Sequence, residues 1–126
     1  VSRVALAACE RLVNLCGEVQ NRQAAADAGA IEAIVAALQA HPQVAVVQLN
    51  GCMAMGNVCS GTDAAGLSRK QRAAEAGAIE AVVAAMRAHP TNAGVQEEGI
   101  SALTMLCGDA VPSREERAAE AGAIEA

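Results

Sequence analysis

Apolar positions recur along this chain at helical spacing, and the spacing returns in blocks. Val4, Ala8, Leu12, Leu15 and Cys16 lie at i, i+4, i+8, i+11 and i+12, one face of an α-helix. Val47, Gly51, Met55, Val58 and Cys59 repeat that stripe, and Val95, Gly99, Leu103, Leu106 and Cys107 repeat it again. A second stripe precedes each of the later two: Ile31, Ile34, Val35 and Leu38, then Ile79, Val82, Val83 and Met86. The pattern predicts helices over about 31–41, 44–59, 79–89 and 93–107, with residues 1–17 opening in a helix of the last type.

A six-residue phrase fixes the period. Ala28-Gly29-Ala30-Ile31-Glu32-Ala33 returns at 76–81 and 121–126, with its glycines 48 and then 45 residues apart. Such self-similarity marks a repeat array. Gly29 to Cys59 and Gly77 to Cys107 each span 30 residues, while the step from Cys to the next Gly is 13, 18 and 15. The unit is therefore a rigid block plus a variable connection. The domain organisation expected is one repeat domain over 1–126: a last helix (1–17), two repeats (18–60 and 61–108) and the start of another (109–126). The last phrase stops at Ala126, so the chain reads as a piece of a longer array.

A short first helix is expected before each glycine. Ser68 with Gln71, and Ser113 with Glu116, have capping-box spacing, which places these helices at 69–76 and 114–121. The matching start near residue 20 is weaker. Gly29, Gly77 and Gly122 stand where a left-handed residue ends a helix. His41-Pro42 and His89-Pro90 stop the next helix, because proline pushes its predecessor out of the helical region. Residues 60–67 and 108–112 carry Gly, Thr, Asp and Pro and are expected to be loops. Glycine inside a helix costs about 1 kcal/mol against alanine, so Gly51 and Gly99 imply a close helix approach.

Composition narrows the class to all-α. Apolar residues make up 53%, which excludes disorder, and Phe, Tyr and Trp are absent, so the core is built of Ala, Val, Leu, Ile, Met and Cys. The net charge of −5 argues against a phosphate-backbone binder, and the missing aromatics remove stacking platforms for single strands. No apolar run reaches a membrane span and no signal-peptide pattern opens the chain. Five cysteines have no disulfide-framework spacing; they read as small buried hydrophobes, hence free thiols in an intracellular compartment, cytoplasmic or nuclear.

"AEAGAIEAVVAAMRAHP" (74–90), "QLNGCMAMGNVCSG" (48–61) and "CERLVNLCG" (9–17) together resemble the armadillo repeat. The resemblance spans the whole chain, and the glycine hinge after a short first helix favours armadillo over its HEAT relatives. It implies a right-handed α-solenoid of three-helix repeats, with third helices lining an inner groove. In importin-α-like and catenin-like members an Asn ladder on those helices holds an extended peptide. Asn14 and Asn57 match that ladder; Met105 stands at the third place. Where importin-like members carry Trp one turn earlier, this chain has Glu10, Met53 and Ser101, so the framing of basic side chains does not carry over. Ala7, Asn50 and Glu98 neighbour these positions on the inner face.

Asn14 and Asn57 can offer a donor and an acceptor to a bound backbone, or bond locally near a helix end. His41 and His89 recur too far apart for a metal site and suit helix C-termini. Cys52 and Cys59 share the apolar stripe, so zinc is not expected. Glu97-Glu98 and Glu115-Glu116 come with no nucleophile, phosphate or dinucleotide motif. Arg69, Lys70 and Arg72 read as a solvated face rather than a contact for an acidic partner. The expectation is a non-enzymatic scaffold with no cofactor, binding a protein or extended peptide. The alternative is an assembly segment or engineered array that self-associates through exposed ends such as Val4, Leu12, Leu15 and Ile124.

Overall fold

The computed structural model describes residues 2–107. They form seven helices: α1 (Ser2–Leu15), α2 (Val19–Asp27), α3 (Ala30–Ala40), α4 (Ala45–Val58), α5 (Ala64–Glu75), α6 (Ala78–Ala88) and α7 (Ala93–Cys107). Among the described residues there is no strand, and the fold is all-α. The expected helix 114–121, the loop 108–112, Glu115, Glu116, Gly122 and Ile124 lie outside them.

Two blocks, α2–α3–α4 and α5–α6–α7, have the same internal order. Their hinges match closely: Gly29 and Gly77 both sit at φ 92° and ψ 19°. Each glycine ends one helix and starts the next. The Gly29 N–H donates to Ala26 O at 3.0 Å, while Gly29 O accepts from Ala33 N at 3.1 Å. A residue with a Cβ is strained at that φ. At the far end of α3 and α6, His41 and His89 both leave the helical region at φ −130°, as a residue before proline must.

Packing follows the stripes. Ile31, Ile34, Val35 and Leu38 are buried, as are Ile79, Val82, Val83 and Met86. Val47, Met55, Val58, Val95 and Leu106 are buried beside them. Leu103 is half-buried and bridges two apolar clusters, one around Ile31, Met55 and Ile79, the other around Cys52, Val82 and Val95. α4 packs on both α1 and α7, and α3 packs on both α4 and α6. Gly51 and Gly99 permit this. A Cβ on Gly51 would lie 2.6 Å from Leu38 Cδ2, and one on Gly99 would lie 2.6 Å from Met86 Cγ. The mid-helix glycines thus let the second and third helices of each block approach closely.

One stretch departs from the sequence reading. α5 begins at Ala64, not after Ser68, so the second half of 60–67 is helix rather than loop. Asp63 is the N-cap: its Oδ1 accepts from Gly66 N at 2.9 Å. Gly61, at φ 119°, makes the turn into it. Gly66 then lies against Gly61, where a Cβ would be 2.5 Å from the Gly61 carbonyl oxygen. The extra residues between Cys59 and Gly77 lengthen a helix.

Candidate functional site

α1, α4 and α7 are the helices that carry the expected inner face, and α4 meets both of the others. Glu10, Asn14, Ala7 and Ser101 are exposed; Asn50, Met53, Asn57, Glu98 and Met105 are half-buried. Met105 packs against the core, the other eight stay out of it, and the nine hold equivalent places on the three helices: Ala7, Glu10 and Asn14; Asn50, Met53 and Asn57; Glu98, Ser101 and Met105. Sequence reasoning passed over the first row of this grid. Arg3, Val46 and Gly94 lie one turn earlier, and Val46 is 51% exposed on a helix whose other valines are buried. Counting back four residues from Asn50 would have found it.

The two asparagines are in different states. Asn57 Nδ2 donates to the Val13 carbonyl at 2.9 Å, tying α4 to α1. Its Oδ1 and second N–H remain. Asn14 makes no such bond among the described residues. Asn50 Nδ2 donates within its own helix to Val46 O at 2.9 Å. The face is thus polar, with an apolar Val46 and Met53 at its centre and the carboxylates of Glu10 and Glu98 to either side.

The basic trio does not form a solvated face. Arg69 and Lys70 are buried. Arg69 donates from Nε to Val58 O at 2.7 Å, from Nη2 to Ser60 O at 2.8 Å and from Nη1 to Gln23 Oε1 at 2.8 Å. Lys70 Nζ donates to Gly61 O at 2.7 Å. They close the C-terminus of α4, whose orphan carbonyls and negative dipole end attract cations. One block earlier Asn21 and Arg22 do the same for α1, donating to Leu15 O and Cys16 O. Arg72 pairs with Glu32 at 2.9 Å, and that bond holds the Glu32 carboxyl below its usual range.

Two further recurrences join the helices. Gln48 Nε2 donates to Leu38 O and His41 O, and Gln96 Nε2 to Met86 O and His89 O. The His89 ring Nε2 lies 2.9 Å from Pro42 O of the block before. The five cysteines are unbridged. Burial pushes the Cys52 thiol up to about 12, with the nearby Glu98 charge adding to it. Among the described residues no group of three or more His, Cys, Asp or Glu is placed to hold a metal ion, and no helix is long and apolar enough to cross a membrane. A scan of family models and searches of curated proteins and solved structures find no match to this chain.

Proposed function

We propose that this chain is a non-enzymatic binding scaffold of armadillo type, an α-solenoid that takes an extended peptide or protein segment across α1, α4 and α7. The grid of equivalent solvent-facing side chains on three successively packed helices carries this reading. Equivalent positions recur at each step of the stack, a regular spacing that suits an extended backbone, and Asn14 and Asn57 repeat the same residue. Met53 and Ser101 hold the same place on α4 and α7, Asn14 stands one turn on along α1, and Glu10 and Glu98 favour a basic or polar segment.

Panning a displayed library of random linear peptides on the protein tests the reading. Enriched peptides should bind weakly and should lose binding to an Asn14→Ala/Met53→Arg/Ser101→Arg variant of unchanged circular dichroism. No enrichment, or enriched peptides indifferent to the triple change, would sink it. Asn57 is left out because its bond to Val13 O also holds the fold.

A further inference from the structure

A cavity of about 190 Å³ opens in the seam where α3 of one block packs on α6 of the next. It lies inside the stack, with walls from both described blocks. Its deeper walls are Leu38, Gln48, Ala81 and Ala85, all buried. Pro42 and Ala84, both exposed, stand at its mouth. α6 makes the room: Ala81, Ala84 and Ala85 lie at i, i+3 and i+4 on one helix face, and none carries more than a methyl group.

Gln48 is the one buried polar side chain on the wall, 1% exposed. Its amide reaches from α4 to the end of α3, where Nε2 donates to Leu38 O at 3.0 Å and to His41 O at 2.9 Å. Those bonds use both amide protons. They also fix the amide's orientation, since the reverse would set Oε1 against two carbonyl oxygens. Gln96 makes the same clasp one block on. The Gln48 Oε1 accepts no hydrogen bond among the described residues. A buried acceptor without a donor is costly, so the wall favours an occupant that brings one.

We propose that this cavity binds a phenol, a single aromatic ring bearing one hydroxyl. The ring seats against Leu38, Pro42 and the alanines, and its O–H donates to Gln48 Oε1. Size and chemistry agree. An apolar cavity of about 150 Å³ takes a benzene ring, and 190 Å³ leaves room for the hydroxyl. No charged side chain lines the cavity, so an ion would be desolvated there without a counter-charge. The sequence holds no Phe, Tyr or Trp, so no ring of its own competes. The same chemistry comes from a free phenol or from a tyrosine side chain, and the test separates the two. The site lies apart from the polar face of α1, α4 and α7 and does not rest on the peptide-binding reading.

A chain without aromatic residues is dark in the near ultraviolet, so the emission of p-cresol reports its own binding. Titrated against the whole chain, p-cresol should bind saturably, with a dissociation constant on the order of 1 mM for so small a ligand. Methyl NMR spectra should place it by shifting the Leu38, Ala81 and Ala85 methyls. The methyl ether p-methylanisole, which lacks the O–H, should bind about tenfold more weakly, the scale of one hydrogen bond left unmade. Ala84→Leu, at an exposed position, should fill the mouth and abolish binding with circular dichroism unchanged. A blocked tripeptide with a central tyrosine identifies the source. Affinity equal to or above that of p-cresol assigns the ring to a partner's side chain, and lower affinity assigns it to a free phenol. Absence of saturable p-cresol binding overturns the proposal, leaving Oε1 to water. So does equal affinity for the ether, or shifts confined to methyls outside the cavity.

Discussion

Arg69 buries a full positive charge against three neutral acceptors, the Val58 and Ser60 carbonyls and the Gln23 amide oxygen. Without the guanidinium, the buried Val58 carbonyl loses its side-chain donor, while the Ser60 and Gln23 oxygens lie nearer solvent. Hydrogen bonds to a charged group are worth about 1.5–3 kcal/mol each in favourable cases, and they are not additive. Arg69→Ala should thus lower unfolding free energy by roughly 3 kcal/mol in urea titration, whereas the exposed Arg3→Ala should be nearly silent. Nothing in the residue order announces this, because a basic cluster after a Gly-Thr-Asp loop has the composition of a solvated face. Burial of Arg69 depends on which carbonyls α4 leaves open, a tertiary fact. The cysteines were largely legible, since their apolar stripe pointed to unbridged thiols and to the burial that four of them show, Cys107 being half-buried. Cys52 gives a titration test. Its folded thiol is pushed up to about 12 from an ordinary 9.0. The unfolded state therefore releases this proton first as pH rises. The stabilising contribution is complete below pH 9.0 and is lost from there toward about 12. Stability should fall over that alkaline window, and Cys52→Ala should flatten the fall.

At the scale of the element, glycine does two separable jobs. Gly77 sits at φ 92° with nothing within 4 Å of an added Cβ, so Gly77→Ala is a conformational cost alone, about 1–2 kcal/mol. Gly51 is helical and crowded, with Leu38 Cδ2 at 2.6 Å from an added Cβ. Gly51→Ala gains about 1 kcal/mol of helix propensity but incurs overpacking of about 1–3 kcal/mol. It should be mildly destabilising, and Leu38→Val should rescue it. The same valine should not rescue Gly77→Ala. Thermal denaturation of the three single and two double variants, as two cycles sharing Leu38→Val, separates the two, and an absence of coupling between positions 38 and 51 would refute the close-approach account. Helix number, hinges and stops in the two blocks were readable because their signals are local: a glycine at C′, a proline after histidine, a stripe. The start of α5 was not. Asp63 and Ser68 are both good N-caps, and the choice between them turns on Gly61 and Gly66 meeting face to face, which no local pattern encodes.

Among the described residues, apolar packing between successive blocks is accompanied by a few specific polar ties. Asn57 reaches Val13 O, His89 reaches Pro42 O, Arg69 reaches Gln23, and Arg72 reaches Glu32. The last pair is largely exposed and is screened by solvent, so it contributes little. Its share is present above the ordinary carboxylate range and fades as pH falls through the lowered Glu32 value. The Asn positions were legible in sequence, but their division of labour was not: Asn57 is partly consumed in joining α4 to α1, while Asn14 is open. That division has a testable consequence for how the stack opens. α4 is packed on both α1 and α7, whereas α1 leaves Val4 and Leu15 exposed, so α1 should open first. If each block communicates only with its neighbours, as in the proposed array, Asn57→Ala should loosen α1 and leave α7 nearly untouched. The lost hydrogen bond is worth about 1 kcal/mol, or about a fivefold change in an opening equilibrium. Native-state hydrogen exchange should then show α1 amides exchanging about fivefold faster in the variant, with those of α7 unchanged. Equal acceleration in α1, α4 and α7 would mean that the described helices open as one cooperative unit, and nearest-neighbour stacking would be the wrong description of what holds them.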